Sequence, residues 1–333
     1  MEQIGIFLET VKLARKQTCL NMALFPLLAP NGDEPEYLTL EEALDNDAIE
    51  ITEVTKGGSV QELKLINRGA QHVLIVEGEE LVGAKQNRIV NATFLFAGNS
   101  EVIIPVSCVE QGRWDYRSHK FESGGKLMQS SLRGEHKSAV MASLASGGGF
   151  QSDQDMIWNG LAQKAHRMNV CAPTMAMADL FEQHEDRFSS YLKSFFLVDN
   201  QVGAVFVLNG KVAGLECFGY QRTFAGFFEK LIKSYVLDAL DWLQEGQTIK
   251  PRTEPVRRFL DATKNAKRET YPSIGLGKNI SMHGRTISGS ALVNGEKVLH
   301  LSAFRIRNQS KGGKVPFHRY SARRRQRQSI KID

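Results

Sequence analysis

The sequence predicts an α+β fold in which a β-rich N-terminal half packs with a helical, hairpin-containing C-terminal half. Three observations carry this. Residues 18–116 hold short apolar or alternating runs between closely spaced turn signals. Residues 153–243 hold amphipathic stretches of helical period. Two Asn-Gly dipeptides, Asn209-Gly210 and Asn294-Gly295, each divide a pair of β-type runs. Strand groups set apart from helix groups argue against a doubly wound parallel sheet. The 333 residues are 42% apolar and 24% charged, ordinary values for a folded chain.

In chain order, Thr18–Leu28 reads as a strand. Leu40–Leu44 reads as a short helix, with Thr39 as N-cap and Glu42 completing a capping box. Ile49–Val54 alternates as a strand does, and further strands are expected at Glu62–Ile66, His72–Val76, Arg88–Phe96 and Glu101–Val106. Their close spacing suggests a sandwich-like or barrel-like sheet. Residues 117–152, rich in Ser, Gly and charge, read as an exposed flexible segment or a lid over a site, with helical character over Ala139–Leu144. Ser152 or Asp153 caps a helix to about Met168, and Pro173 opens another toward Phe195. Both Asn-Gly pairs are expected as type I′ turns. Between the hairpins lie an amphipathic helix, Phe224–Leu243, and a second near Glu254–Asn265. Residues 1–305 therefore form one body, followed by a basic, disordered tail, 306–333.

The charge is concentrated in that tail. Residues 311–333 carry eight Lys or Arg and one Asp, so within a net charge of +5 the other 310 residues carry −2. A basic body that binds nucleic acid is thereby disfavoured, and a nucleic-acid contact would centre on Arg323–Arg327. No run is apolar over a membrane-spanning length and no signal peptide is visible, so the expected setting is the cytoplasm. Cys19, Cys108, Cys171 and Cys217 are too scattered for a disulfide framework or a zinc knuckle.

Two segments concentrate chemistry. Glu77–Arg88 combines carboxylates and glycines with the donor-rich run Lys85, Gln86, Asn87 and Arg88. Cys108–Trp114 offers a thiol, Glu110, the planar fork of Arg113 and the indole of Trp114. If they meet in one polar pocket, Glu110 or Glu79 is the candidate general acid or base. Lys85, Gln86, Asn87, Arg88, Arg113 and Trp114 are then the ligand-binding candidates. Cys108 is a nucleophile only if its pKa is lowered, and a metal site with Glu110 and a remote His follows no known ligand spacing. Otherwise Cys108 is a small buried hydrophobe. Glu216, in an apolar strand, and His300 are second-tier catalytic candidates, each with a structural alternative. Lys230, Ser234 and Asp238 form an i, i+4, i+8 stripe, read as structural. Gly275–Asn279 has neither the P-loop nor the dinucleotide spacing, so phosphate contact there is the lesser reading.

Glu77-Gly78-Glu79 with Gly83–Arg88, then Pro105–Trp114, resemble the ARG and rhodanese-phosphatase-superfamily-associated protein domain, a prokaryotic family. The resemblance continues through Asn209–Val212, Gly214–Glu216, Lys230-Leu231, Ser234-Tyr235, Asp238-Ala239, Gly289–Val293 and His300-Leu301, covering roughly residues 20–305. It implies a link to NAD-derived or ADP-ribose metabolism. The resulting expectation is an enzyme acting on a nucleotide or ADP-ribose/NAD-derived ligand. The alternatives are a non-catalytic nucleotide- or sugar-binding module, or a protein acting on a partner or nucleic acid through its tail.

Overall fold

The computed structural model describes residues 2–30, 34–244 and 250–306, so the tail expected to be disordered lies outside the described residues. Its backbone is an antiparallel nine-stranded sheet set against a smaller β-rich unit. The large sheet runs in the order Lys12–Leu13, Met22–Leu28, Gln201–Leu208, Lys211–Phe218, Lys297–Arg305, Ile287–Asn294, Lys278–His283 and Lys267–Pro272, with Gln17–Cys19 also paired to Met22–Leu28. The smaller unit is a six-stranded sheet of Phe121–Leu127, Glu79–Gly83, Arg88–Val90, Ser100–Cys108, Glu62–Asn67 and Ile49–Glu53. A bridge from Thr52 to Lys120 draws its two edges together, so the sheet curls as a barrel does. A three-stranded sheet (Phe94–Phe96, His72–Ile75, Tyr37–Thr39) adjoins it.

Three apolar cores follow from this layering. Val205, Leu215 and Leu301 face Ile4 of helix Glu2–Thr10 and Val256 and Phe259 of helix Thr253–Lys264. On the opposite face, Phe206, Phe218 and Phe304 meet Leu132, Leu161, Phe224 and Leu231 from helices Ser130–Ala145, Gln154–Met168 and Gln221–Asp241. Leu63, Leu65, Leu81, Val90 and Ile104 close the interior of the curled sheet. Among the described residues no helix is long and apolar enough to cross a membrane.

Local chemistry sets several of these elements. The Thr39 side chain accepts from the Glu42 amide, and the Glu42 carboxylate accepts from the Thr39 amide, the expected capping box. Asp153 caps Gln154–Met168 by its side chain alone, accepting from the Met156 amide at 3.0 Å. Asn209 and Gly210 both have positive φ, 47° and 72°, as a type I′ turn requires. The second hairpin differs by one residue. Asn294 pairs with Lys297, the turn residues are Gly295 and Glu296, and only Gly295 has positive φ. That pattern belongs to a type II′ turn, with glycine in its first central position.

Four other expectations are corrected. The strand expected over Thr18–Leu28 is a tight hairpin, in which Leu20, at φ 47°, turns Gln17–Cys19 back onto Met22–Leu28. The strand expected over Arg88–Phe96 breaks into Arg88–Val90 and Phe94–Phe96, and Asn91 between them turns inward to bond Phe150. No helix starts at Pro173, because Met175 adopts a left-handed φ of 54°; two short helices, Met177–Glu182 and Glu185–Leu192, follow instead. Residues 117–152 hold a strand, Phe121–Leu127, and a four-turn helix, Ser130–Ala145, that buries Arg133, His136 and Lys137. The stretch looks loop-like because cations occupy helix positions that normally carry apolar residues. The glycine-rich run at Gly275 leads into a strand, not a helix N-terminus, and a Cβ on Gly275 would lie 2.1 Å from the Leu95 carbonyl oxygen.

Candidate functional site

The two motif segments do meet, and Arg113 is the clamp between them. Gly83, at φ 123°, and Ala84, at φ 35°, turn the chain so that both carbonyls face its guanidinium. Arg113 donates to Ala84 O (2.6 Å), Gly83 O (3.2 Å), Asp115 O (2.9 Å) and Asn87 Oδ1 (3.0 Å), and pairs with Glu110 at 2.7 Å. Glu110 also accepts from the Asn87 amide (3.1 Å) and Thr174 Oγ1 (2.9 Å). Burial works to raise the Glu110 carboxyl, but Arg113 and these donors outweigh it and hold it below the usual range. Arg88 is fully buried and donates to Gln86 O (3.0 Å), Gln86 Oε1 (3.2 Å) and Ser59 O (3.2 Å). Gln86, Asn87, Arg88 and Arg113 are thus committed to protein partners, and Glu110 is a fully bonded carboxylate. What the clamp leaves outside is Trp114 and Lys85, whose Nζ donates to Gly57 O at 2.8 Å.

That outer face combines exposed rings with cations. Trp114 is 41% and Tyr116 48% exposed. Lys85 Nζ lies 5.3 Å from the Trp114 ring centre and 5.1 Å from that of Tyr116, within cation–π range. Arg117 and Lys120 are exposed just along the chain.

Cys108 sits behind this face, fully buried, with its thiol donating to Gln86 Oε1 at 2.6 Å. Burial pushes the thiol up to about 11, with Arg88 opposing, so it carries no appreciable thiolate at neutral pH. Iodoacetamide applied to the native protein is expected to modify exposed Cys171 and leave Cys108 and Cys217 intact, read by peptide mass mapping. Modification of Cys108 at a comparable rate would contradict this placement.

Glu216 and His300 lie elsewhere, in a charged layer between the large sheet and its helices, while Glu79 opens a strand of the six-stranded sheet and meets Lys230 of helix Gln221–Asp241. Glu216, Ser302, Ser290 and Ser281 are ladder partners across four strands and so present one polar row to that layer. Glu77 lies over this row, accepts from Ser302 Oγ at 2.7 Å and pairs with Lys137. Burial would raise its carboxyl, but Lys137, His300 and Arg133 pull it down to about 2. Arg133 pairs with Glu216 at 2.7 Å, and Tyr235 donates to the same carboxylate oxygen at 3.1 Å. His300 Nε2 lies 3.4 Å from the other Glu216 oxygen, and its Nδ1 is 2.8 Å from Thr93 Oγ1. Glu79 bonds the Val76 amide (2.7 Å) and Lys230 (3.0 Å), and burial raises its carboxyl despite Lys230. In the helical stripe, Ser234 donates to Met128 O, and Asp238 pairs with Lys164 at 2.6 Å and accepts from the Ser131 amide.

Sequence reasoning missed Arg133 and Lys137, which complete this layer. Their signal was a helix face at Arg133, Lys137, Val140 and Leu144, obscured because its first two members are charged. It also passed over Glu80, which is fully buried with neither oxygen receiving a hydrogen bond. Burial pushes Glu80 up to about 7, while Lys126 favours ionisation and Glu182 and Glu110 oppose it. Among the described residues no group of three or more His, Cys, Asp or Glu side chains is placed to hold a metal ion.

The chain is an α+β protein with a buried charge layer and a clamped, cation-aromatic outer face. It belongs to the ARG and Rhodanese-Phosphatase-superfamily-associated Protein domain family, ARPP-1, whose profile matches residues 10–304. No curated protein and no solved structure shows a significant match.

Proposed function

We propose that the chain binds a nucleotide- or ADP-ribose-type ligand on the outer face of the Arg113 clamp. Trp114 and Tyr116 stack on the base, and Lys85, Arg117 and Lys120 draw in the phosphates. The supporting observation is Lys85 lying within 5.3 Å of the centres of two exposed rings, a platform that complements a planar base joined to an anion. The family's association with ARG proteins, read as ADP-ribosylglycohydrolases, points to the same ligand class. Gln86, Asn87, Arg88 and Arg113 hold the platform in place from behind. ADP-ribose at about 100 times its dissociation constant is expected to add roughly 2.7 kcal/mol to stability, read as a raised thermal midpoint. Trp114→Ala should lose that shift while unfolding normally without ligand. No shift from ADP-ribose, NAD or a mononucleotide in the parent protein would reject the reading.

A second reading, turnover of such a ligand, is favoured by one observation. Glu216 and His300 come from separate motif segments, yet lie 3.4 Å apart beside the Glu77–Lys137 pair. In that reading His300, oriented by Thr93 and Glu216, moves the proton, and Glu79 is a reserve acid with a raised pKa. Release of free ADP-ribose from an ADP-ribosylated peptide, abolished in His300→Gln, would support it.

A further inference from the structure

Two stretches of chain meet at one edge of the large sheet. Lys12–Leu13 and Gln17–Cys19 both pair with Met22–Leu28 and carry no strand on their other side among the described residues. Residues 190–197 lie against them. Cys19 Sγ donates to Ser190 O at 3.6 Å, Gln17 Nε2 donates to Phe196 O at 2.8 Å, and the Phe196 amide donates to Gln17 Oε1 at 2.9 Å. Both ends of a buried amide are thus spent on fixing the Phe196 backbone. The Phe196 side chain is nonetheless 61% exposed, and Leu197 beside it 42%. Leu20, at the tip of the hairpin, is 59% exposed at its φ of 47°. An L side chain rarely adopts that conformation, and glycine or asparagine would take it with less strain. Phe196 and Leu20 are the two most exposed of the large apolar side chains described. Such a grouping marks an interaction surface.

The charge here is one-sided. Residues 12–20 and 190–197 carry Lys12, Arg15, Lys16 and Lys193 and no carboxylate, although the first 310 residues sum to −2. Asp199 is the next carboxylate along the chain. Among the described residues none of the four cations pairs with a carboxylate; Lys16 donates to Pro251 O instead. An isologous contact between two copies would set these cations against one another. Nucleic-acid bases stack on rings, and two of the three exposed apolar side chains are aliphatic. An anionic bilayer matches both features. Its headgroups attract the cations, and its interfacial layer takes up the apolar side chains.

We propose that this edge docks the protein on an anionic lipid surface, with Leu20, Phe196 and Leu197 in the interfacial layer and Lys12, Arg15 and Lys193 on the headgroups. None of these residues belongs to the Arg113 clamp or its outer face, so the contact is additional to the nucleotide platform. Cosedimentation of the full chain with phosphatidylcholine vesicles, with and without phosphatidylserine, tests this. The parent is expected to bind the vesicles that contain phosphatidylserine, and to bind phosphatidylcholine alone far less. The double variant Lys12→Ala, Arg15→Ala should bind about 25-fold more weakly, at about fivefold for each cation near the surface. Phe196→Ser with Leu197→Ser should bind about tenfold more weakly, through lost apolar burial. All four side chains are exposed or partly so, and thermal midpoints equal to the parent's are expected. The basic tail is identical in every variant, so the differences report this edge alone. No binding by the parent, or binding undiminished in either double variant, would overturn the proposal. So would a dimer of the parent that Phe196→Ser with Leu197→Ser dissociates, which would assign the face to a second copy.

Discussion

Replacing Glu77 by Ala is expected to destabilise the fold by about 3–5 kcal/mol, the usual effect of stripping one partner from a buried ion pair. Glu77 and Lys137 are 2% or 3% exposed, so the ammonium left behind has no water to turn to. The variant also leaves Ser302 Oγ without its acceptor, and takes an anion away from Arg133 and His300. The penalty belongs to the orphaned charge and not to a net attraction, which gives a second expectation. The double variant Glu77→Leu, Lys137→Met removes both charges at similar volume and should recover most of the loss. Urea denaturation of the two variants measures both effects. A loss under about 1 kcal/mol for Glu77→Ala would show that water reaches the ammonium left behind, and a double variant no more stable than the single one would show that the loss comes from the pair's attraction and not from an orphaned charge.

Glu80 carries a large expected pH effect of the unusual sign for a carboxylate, stabilising in acid. It projects from strand Glu79–Gly83 beneath Gly124, where a Cβ would lie 2.5 Å from Glu80 Oε2, so only glycine lets the covering strand pass. Its folded pKa, about 7, lies above its ordinary 4.5. The favourable state is the neutral acid, so its contribution is fully present below pH 4.5, falls as pH rises, and is gone above about pH 7. Linkage makes that contribution about 3 kcal/mol. Glu80→Gln is neutral at every pH. The difference in unfolding free energy between the variant and the parent should therefore grow in the variant's favour by about 3 kcal/mol from pH 4 to pH 8. Subtracting the two curves removes every other titrating group. A difference that stays flat over that range would mean that water or a cation reaches the Glu80 carboxylate.

Local chemistry made part of this fold legible. Thr39 with Glu42, Asp153, and Asn209-Gly210 each act through neighbours in sequence, so their structures could be read directly. Asn294-Gly295 shows the limit: the same dipeptide shifts by one residue because cross-strand pairing carries Asn294 into the ladder opposite Lys297. The meeting of Glu77–Arg88 with Cys108–Trp114 was legible from their content, but the division of labour within them was not. Glu77 and Glu79, two residues apart, turn to different cations, Lys137 and Lys230, because Gly78 at φ 79° breaks the strand geometry that would set them side by side. Arg133 and Lys137 were hidden for a complementary reason. Their burial depends on Glu216 and Glu77, more than 50 residues away in sequence, and no local pattern announces such partners.

The most direct test of the account is calorimetric titration of ADP-ribose into the parent protein and into Lys85→Ala, whose side chain lies outside the clamp. Removing a cation from an aromatic platform should weaken binding about tenfold, equivalent to about 1.4 kcal/mol. Saturable one-to-one binding by the parent, and that loss in the variant, are expected. Binding that is absent from the parent, or unchanged by Lys85→Ala, would contradict the assignment of the outer face as the ligand platform.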